Sequence, residues 1–193
     1  MSIEEGSIVA GVFWSQAPVV AITSKLNDDI NGQIAVTVVT SSVIHTIPRL
    51  IVGIWKGNYT HNFIYNSKRL CIHLLNQDQL DLVKNFGFYT GREIQKFKNL
   101  SYTTKLTGCP ILNPCHSYAE CEVINAMDGG DMTVFLVNVI NGGINSRNHW
   151  MTLQYFYDNA PYEWIQEYSH KLEKTVVSSL PVIDKINYNN WKP

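Results

Sequence analysis

The sequence is short of the features that announce most specialised chemistries. It has no run of basic residues: 15 Lys and Arg stand against 16 Asp and Glu, for a formal charge of −1. Nucleic acid and anionic membranes are therefore not indicated as partners. No apolar stretch approaches the roughly 20 residues of a membrane-spanning helix. The N-terminal MSIEEGSIVAG carries early acids and no long apolar segment, unlike a signal peptide, so the cytoplasm is the expected compartment. Cysteine is sparse, and Cys71, Cys109, Cys115 and Cys121 include no C-x-x-C pair, which argues against a zinc knuckle. Buried, reduced thiols are expected instead, and no metal site. G-x-G-x-x-G is absent, so a dinucleotide-binding βαβ unit is not supported. Ser41, His45 and Asp28 could be written as a triad, but nothing like a nucleophile elbow surrounds Ser41.

What is present is ample apolar content: 45% of 193 residues, enough for one sizeable core. The informative stretch is 31–61, NGQIAVTVVTSSVIHTIPRLIVGIWKGNYTH. From Gly32 to Thr40, Ile34, Val36 and Val38 alternate with Gln33, Ala35 and Thr37, the period of a half-buried strand. Thr40, Ser41 and Ser42 place three hydroxyls where the backbone must leave the sheet. After Pro48, Leu50 to Trp55 is an apolar run suited to a strand buried on both faces. Lys56 closes it, and Asn58-Tyr59-Thr60-His61 resembles the first turn of a helix. Hydroxyls, a lysine and a helix N-terminus close together make a site for an anion such as phosphate. On local pattern alone, a hairpin with a polar loop and an ordinary capped helix is the plainer reading.

Elsewhere the chain is rich in strands. Ile8–Trp14 and Pro18–Ser24 read as two apolar strands lining a closed interior, and Arg69–Leu75 alternates as another, with His73 a packed residue before it is a base. Asn76 and Gln79 open a helix by a capping box, with Leu80, Val83 and Phe86 on its apolar side and Gly87 at its end. Ser101–Lys105 and Ser117–Val123 follow as strands, and Met127–Asp131 is a hairpin turn before a strand over Thr133–Ile140. Many strands and few short helices argue a β-barrel. From 161 to about 176, Tyr162, Ile165, Tyr168, Leu172 and Val176 recur at helical spacing, with Glu167 and Lys171 placed as an i,i+4 pair. The tail from Leu180, with Tyr188 and Trp191, reads as an arm on a surface.

The order NGQIA-x-TV, a Pro-Arg turn, an apolar strand and K-x-N-Y-T-H resembles the flavin reductase-like family of FMN-binding split barrels, in particular flavoredoxin and flavin domains fused to rubredoxins or flavodiiron proteins. Phe86-Gly87-Phe88, Gly91-Arg92, Lys96-Phe97, Gly108-x-Pro110-Ile111 and Gly130-Asp131 extend the resemblance over roughly residues 8 to 142. It implies a mainly β fold, a Greek-key split barrel with short helices over 1–145 and a C-terminal helix and tail over 146–193. It implies FMN as cofactor, NADH or NADPH as co-substrate, and a homodimer. By the same resemblance Gln33, Ile34 and Ala35 border the isoalloxazine through their backbone, while Thr37, Thr40, Ser41 and Ser42 bind ribityl or phosphate oxygens. Lys56 with Thr60 and His61 neutralises the phosphate, and Arg92 and Lys96 are further cations of that kind.

Three positions depart from the family pattern. Val36 stands where Asn is common, and the loop from Thr40 to Pro48 is longer, with Ile47 in place of a first proline. Met132 stands where a histidine often lies near the nicotinamide. The implied activity is hydride transfer from NAD(P)H to FMN and onward electron transfer. The alternatives are a flavoredoxin-like electron carrier served by a redox protein partner, or a non-catalytic dimeric binding module.

Overall fold

A computed structural model describes residues 3–188. Seven antiparallel strands form one sheet: β1 (Val20–Leu26), β2 (Asp29–Ala35), β3 (Val38–Thr40), β4 (Arg49–Trp55), β5 (Arg69–Leu74), β8 (Ser117–Asp128) and β9 (Met132–Ile144). A two-stranded ribbon, β6 (Tyr102–Thr103) and β7 (Ile111–Leu112), stands apart. The helices are α1 (Ile3–Ser15), α2 (Tyr59–Ser67), α3 (Leu80–Phe88), α4 (Leu153–Asn159) and α5 (Tyr162–Ser179).

The sheet order is β2-β1-β5-β8-β9-β4-β3, so β2 and β3 are its opposite edges although they are consecutive in the chain. Only Val36 and Thr37 join them. Two residues bridge about 11 Å at full extension, so the sheet must curl until its edges meet, as a mainly β split barrel does. The closing seam is already bound to the far edge, where Gly53 N donates to Thr37 O at 2.9 Å.

The strand expected over Gly32–Thr40 is thus two strands, because the chain changes sheet edge at 36–37. The alternation continues across the break, and only the closure of the barrel interrupts the pairing. β1 is buried on both faces: Val20 and Ile22 fill the barrel with Val52, Ile54, Leu70 and Phe135, while Val19 and Ala21 join an outer cluster with Leu75, Phe86, Met151 and Phe156. That outer cluster seats α3, α4 and α5 on one side of the barrel.

Three further expectations are corrected. Ile8–Trp14 lies in helix α1, not in a strand, and its apolar side chains are not interior: Phe13 is 77% and Ile8 65% exposed. A short unbroken apolar run carries no period that separates strand from helix. Glu167 and Lys171 do not pair with each other. Glu167 meets Lys84 of α3, and Lys171 Nζ donates to Gly87 O at 2.8 Å, so both side chains tie α5 to the barrel rather than to itself. Gly87 lies inside α3, which runs one residue further to Phe88. The hairpin turn at 127–131 is present, with Gly129 N donating to Met132 O at 2.9 Å. Cys71, Cys109, Cys115 and Cys121 are buried and free. His73 is packed as expected, its ring between Ala21 O and Leu112 N. Trp191 lies outside the described residues. Among those described, no helix is long and apolar enough to cross a membrane.

Candidate functional site

The seam of the barrel and the helices laid over it enclose a cleft. Its floor is Gln33, Ile34, Ala35, Val36 and Thr37 with Gly53, Trp55 and Met132, and its roof is Tyr168, Leu172, Thr175 and Val176 of α5. The main cavity measures about 410 Å³, and a neighbouring lobe of about 200 Å³ runs under Phe86, Gly87 and Phe88. A third lobe of about 110 Å³ is polar and runs to Asn58, Thr60, Arg92, Lys96 and Lys171. All three share Gln33, Trp55 and Asn58, so they are parts of one site. Mostly apolar walls with a few convergent polar groups are the usual make-up of a cofactor cleft.

Two glycines keep the floor open. A Cβ on Gly53 would lie 2.8 Å from Thr37 Cγ2 and 3.2 Å from Met132 Cε, so the floor can be this shallow only without a side chain there. A Cβ on Gly57 would meet the Trp55 ring at 2.2 Å. Trp55 is held from the other side as well, its Nε1 donating to Ser179 Oγ at 3.0 Å, which ties the end of β4 to α5.

Gln33 is the most telling residue on this floor. It is 4% exposed, and its Oε1 is buried without a hydrogen-bond partner among the described residues. A buried amide oxygen left unpaired costs about 1–3 kcal/mol, so a water or a ligand has to supply the donor that the described residues do not.

The polar end collects cations. Lys96 is buried, and its Nζ donates to Gly32 O and Phe86 O, each at 2.9 Å, leaving one N–H bond over. Burial, and then the charge of Lys171, push its ammonium down to about 7. Lys171 is also lowered by burial, with Glu167 and Glu93 opposing. The Arg92 guanidinium lies 4.7 Å from the centre of the Tyr59 ring and donates to Gly57 O at 3.4 Å. Neither Arg92, Lys96 nor Lys171 forms an ion pair among the described residues. Beside them starts α2, whose Asn58 cap makes no side-chain hydrogen bond, and Thr60 Oγ1 accepts from Asn31 Nδ2 at 3.1 Å. Arg92, Lys96 and Lys171 beside a helix start are the kind of groups that can hold an anion.

The structure therefore brings Gln33, Ile34, Ala35, Thr37, Thr60, Arg92, Lys96 and Met132 to one cleft. It does not bring five others there. Lys56 Nζ contacts Asp128 Oδ1 and Gly130 O, both at 2.6 Å, pinning the β8–β9 turn. Its hydrogen bond holds the Asp128 carboxyl below the usual range. His61 Nε2 meets Thr133 Oγ1 at 2.8 Å, and burial followed by the Lys56 charge lowers its pKa, which disfavours a cation at this position. Thr40, Ser41 and Ser42 belong to the β3–β4 hairpin, where Ser42 Oγ accepts from Ile44 N at 3.1 Å, and none of them lines the cleft.

Nothing in the sequence alone marks Trp55, Lys171 or the rest of the α5 face as site residues. Trp55 was hidden as the last member of an apolar strand, and Lys171 stood on a helix more than seventy residues from the lysine it faces. The signal that could have found Trp55 is the glycine two residues later, whose missing side chain leaves room for the ring.

A model of the flavin reductase-like domain matches residues 15–163. A high molecular weight rubredoxin of Moorella thermoacetica is 32% identical over 138 residues, covering 70% of this chain and 59% of that protein. A ferric-chelate reductase (NAD(P)H) of Archaeoglobus fulgidus is 30% identical over 128 residues, covering 64% of this chain and 73% of that one. Among solved structures, an FMN-binding protein of Thermus thermophilus, with p-hydroxybenzaldehyde bound, superposes with a TM-score of 0.62 at 23% identity, over 67% of this chain and 72% of the other. The family match spans the sheet and its closing seam, and the chain belongs to the flavin reductase-like family.

Proposed function

We propose that this cleft binds FMN and that the chain is an NAD(P)H-dependent flavin reductase. The observation that carries the reading is the unpaired Gln33 Oε1, buried where an apolar slot meets a cationic end. A flat apolar ring with polar edges and a phosphate tail fits both parts. The residues meant to hold it are Gln33 to Thr37 along the ring, with Trp55 beside them, and Asn58, Thr60, Arg92, Lys96 and Lys171 around the phosphate. Lys56, His61, Thr40, Ser41 and Ser42 are left out, since their polar groups are engaged elsewhere or lie off the cleft.

Bound FMN supplies the redox chemistry, hydride acceptance and electron release. The protein's part is to orient and to shield. Leu172, Thr175 and Val176 exclude water from the slot. Met132, with Gly53 and Thr37, forms the wall on which a nicotinamide packs, its thioether giving contact without a hydrogen bond. The protein acts as a homodimer, a reading supported by the exposed apolar side of α1 with Ile8, Val12 and Phe13. The 1–145 part holds the ring and most of the phosphate site, and the 146–193 part roofs it through α5 and adds Lys171.

A protein electron donor is the second reading. It is supported by Met132, which offers the nicotinamide amide no polar partner, and by the rubredoxin name of one relative. Anaerobic mixing with NADH and with NADPH separates the two. Bleaching of the flavin band by either nucleotide is expected. Bleaching by dithionite alone would overturn the reductase reading in favour of a protein donor.

A further inference from the structure

We infer that the Gln33 side chain, through Oε1, is the acceptor for the N3–H of the isoalloxazine and so a specificity-determining residue of the cleft. This rests on the reading of the cleft as a flavin site. The argument begins with hydrogen-bond capacity: an amide oxygen accepts and cannot donate. Gln33 Oε1 is buried and has no partner among the described residues, so it is free to accept from a bound ligand. Gln33 is held in β2 opposite Ile22 of the buried strand β1, which fixes its backbone beside the cleft, and a turn about its own χ angles brings Oε1 to a donor lying there. It borders every lobe of the cleft.

Oxidised isoalloxazine has a single N–H, at N3, between two carbonyls; N1, N5 and the two carbonyl oxygens accept, and N10, which carries the ribityl chain, does neither. The one donor of the ring and the one buried, unpaired acceptor of the floor are complementary. A pocket built around a hydrogen bond rejects an analogue that lacks the donor far more strongly than an apolar pocket rejects a change of size. The Gln33 side chain would then recognise the flavin ring itself, where Lys96, Lys171 and Arg92 recognise only its phosphate.

Calorimetric titration of the full chain with FMN and with 3-methyl-FMN tests the assignment. The native protein should bind FMN about 5- to 30-fold more tightly than the methylated form. Gln33→Leu keeps the size and removes the acceptor, so the two ligands should then bind within about 2-fold of each other, a loss of discrimination expected from removing one hydrogen bond. Equal binding by the native protein would mean a ribityl hydroxyl or nothing meets Gln33, and the assignment falls. Discrimination unchanged in Gln33→Leu would show that the methyl group is rejected by bulk, and the assignment falls again. If the variant does not fold, the native complex with 15N3-labelled FMN decides: slow solvent exchange of the N3 proton is expected, and exchange at the rate of free FMN contradicts it. Should the native protein bind neither flavin, the proposed function fails and takes this assignment with it. A failure of discrimination alone leaves flavin binding standing.

Discussion

Replacing Lys96 by Met separates the phosphate site from the ring site. The ammonium is buried, and its fall from 10.5 to about 7 corresponds to roughly 5 kcal/mol disfavouring the charged form. Methionine removes that burden along with two hydrogen bonds to Gly32 O and Phe86 O, each worth about 1 kcal/mol. The ligand-free protein at pH 6 should therefore be no less stable than the native one. FMN affinity should fall by about 1.5–3 kcal/mol, the range for hydrogen bonds to charged groups, or roughly 10- to 150-fold. Riboflavin, lacking the phosphate, should bind almost as before. The pH profile carries a further signature. Below pH 7 Lys96 is protonated before the ligand arrives; above it, binding a phosphate must draw a proton back on. The preference of the native protein for FMN over riboflavin should decline from pH 7 to 9, with Arg92 and Lys171 sustaining the remainder. In Lys96→Met that decline should vanish. Fluorescence quenching titrations of both flavins across this range give the measurement. Equal losses for FMN and riboflavin, with a drop of several kcal/mol in stability, would mark Lys96 as a pin between β2 and α3 and refute the phosphate role.

Acid should destabilise the fold through His73, which burial holds down to about 4 while the unfolded ring titrates near 6.5. The unfolded chain binds the extra proton between those values, so stability should fall by about 3 kcal/mol as pH drops from 6.5 to 4, seen in denaturant midpoints; a flat profile would contradict the burial of a neutral ring. Met132→His should speed bleaching by NAD(P)H without altering FMN affinity, measured by stopped flow, and an unchanged rate would remove position 132 from the donor wall. Lys56→Met should destabilise the β8–β9 turn while leaving FMN affinity within about 2-fold, since the ion pair with Asp128 is not part of the cleft.

The barrel was largely legible because its strands carry their own marks. β4 follows Pro48 as an unbroken apolar run, and β8 and β9 flank Asp128-Gly129-Gly130, a turn dictated by its residues. The site was legible along the chain and not across it. Gln33 to Thr37 were found from local order, but what makes them a floor is the two-residue seam, and no alternation registers that closure. Lys56 was read as a phosphate ligand because the acid that occupies it stands 72 residues away. Lys96 and Lys171 meet only once α5 is laid over β2. The α1 run suggests a strand because β-branched and aromatic residues favour one, and its sequence carries no mark of the helix it forms.

The most direct test of the central claim is a titration of the purified chain with FMN, followed by the visible spectrum and fluorescence of the flavin, beside Val36→Trp. Val36 lines the slot between β2 and β3, and an indole there would fill the space meant for the ring. Saturable binding of one FMN per chain, tighter than riboflavin and abolished in a Val36→Trp protein with an unchanged far-ultraviolet spectrum, is the predicted result. Undiminished FMN binding by that variant would place the flavin elsewhere and contradict the account.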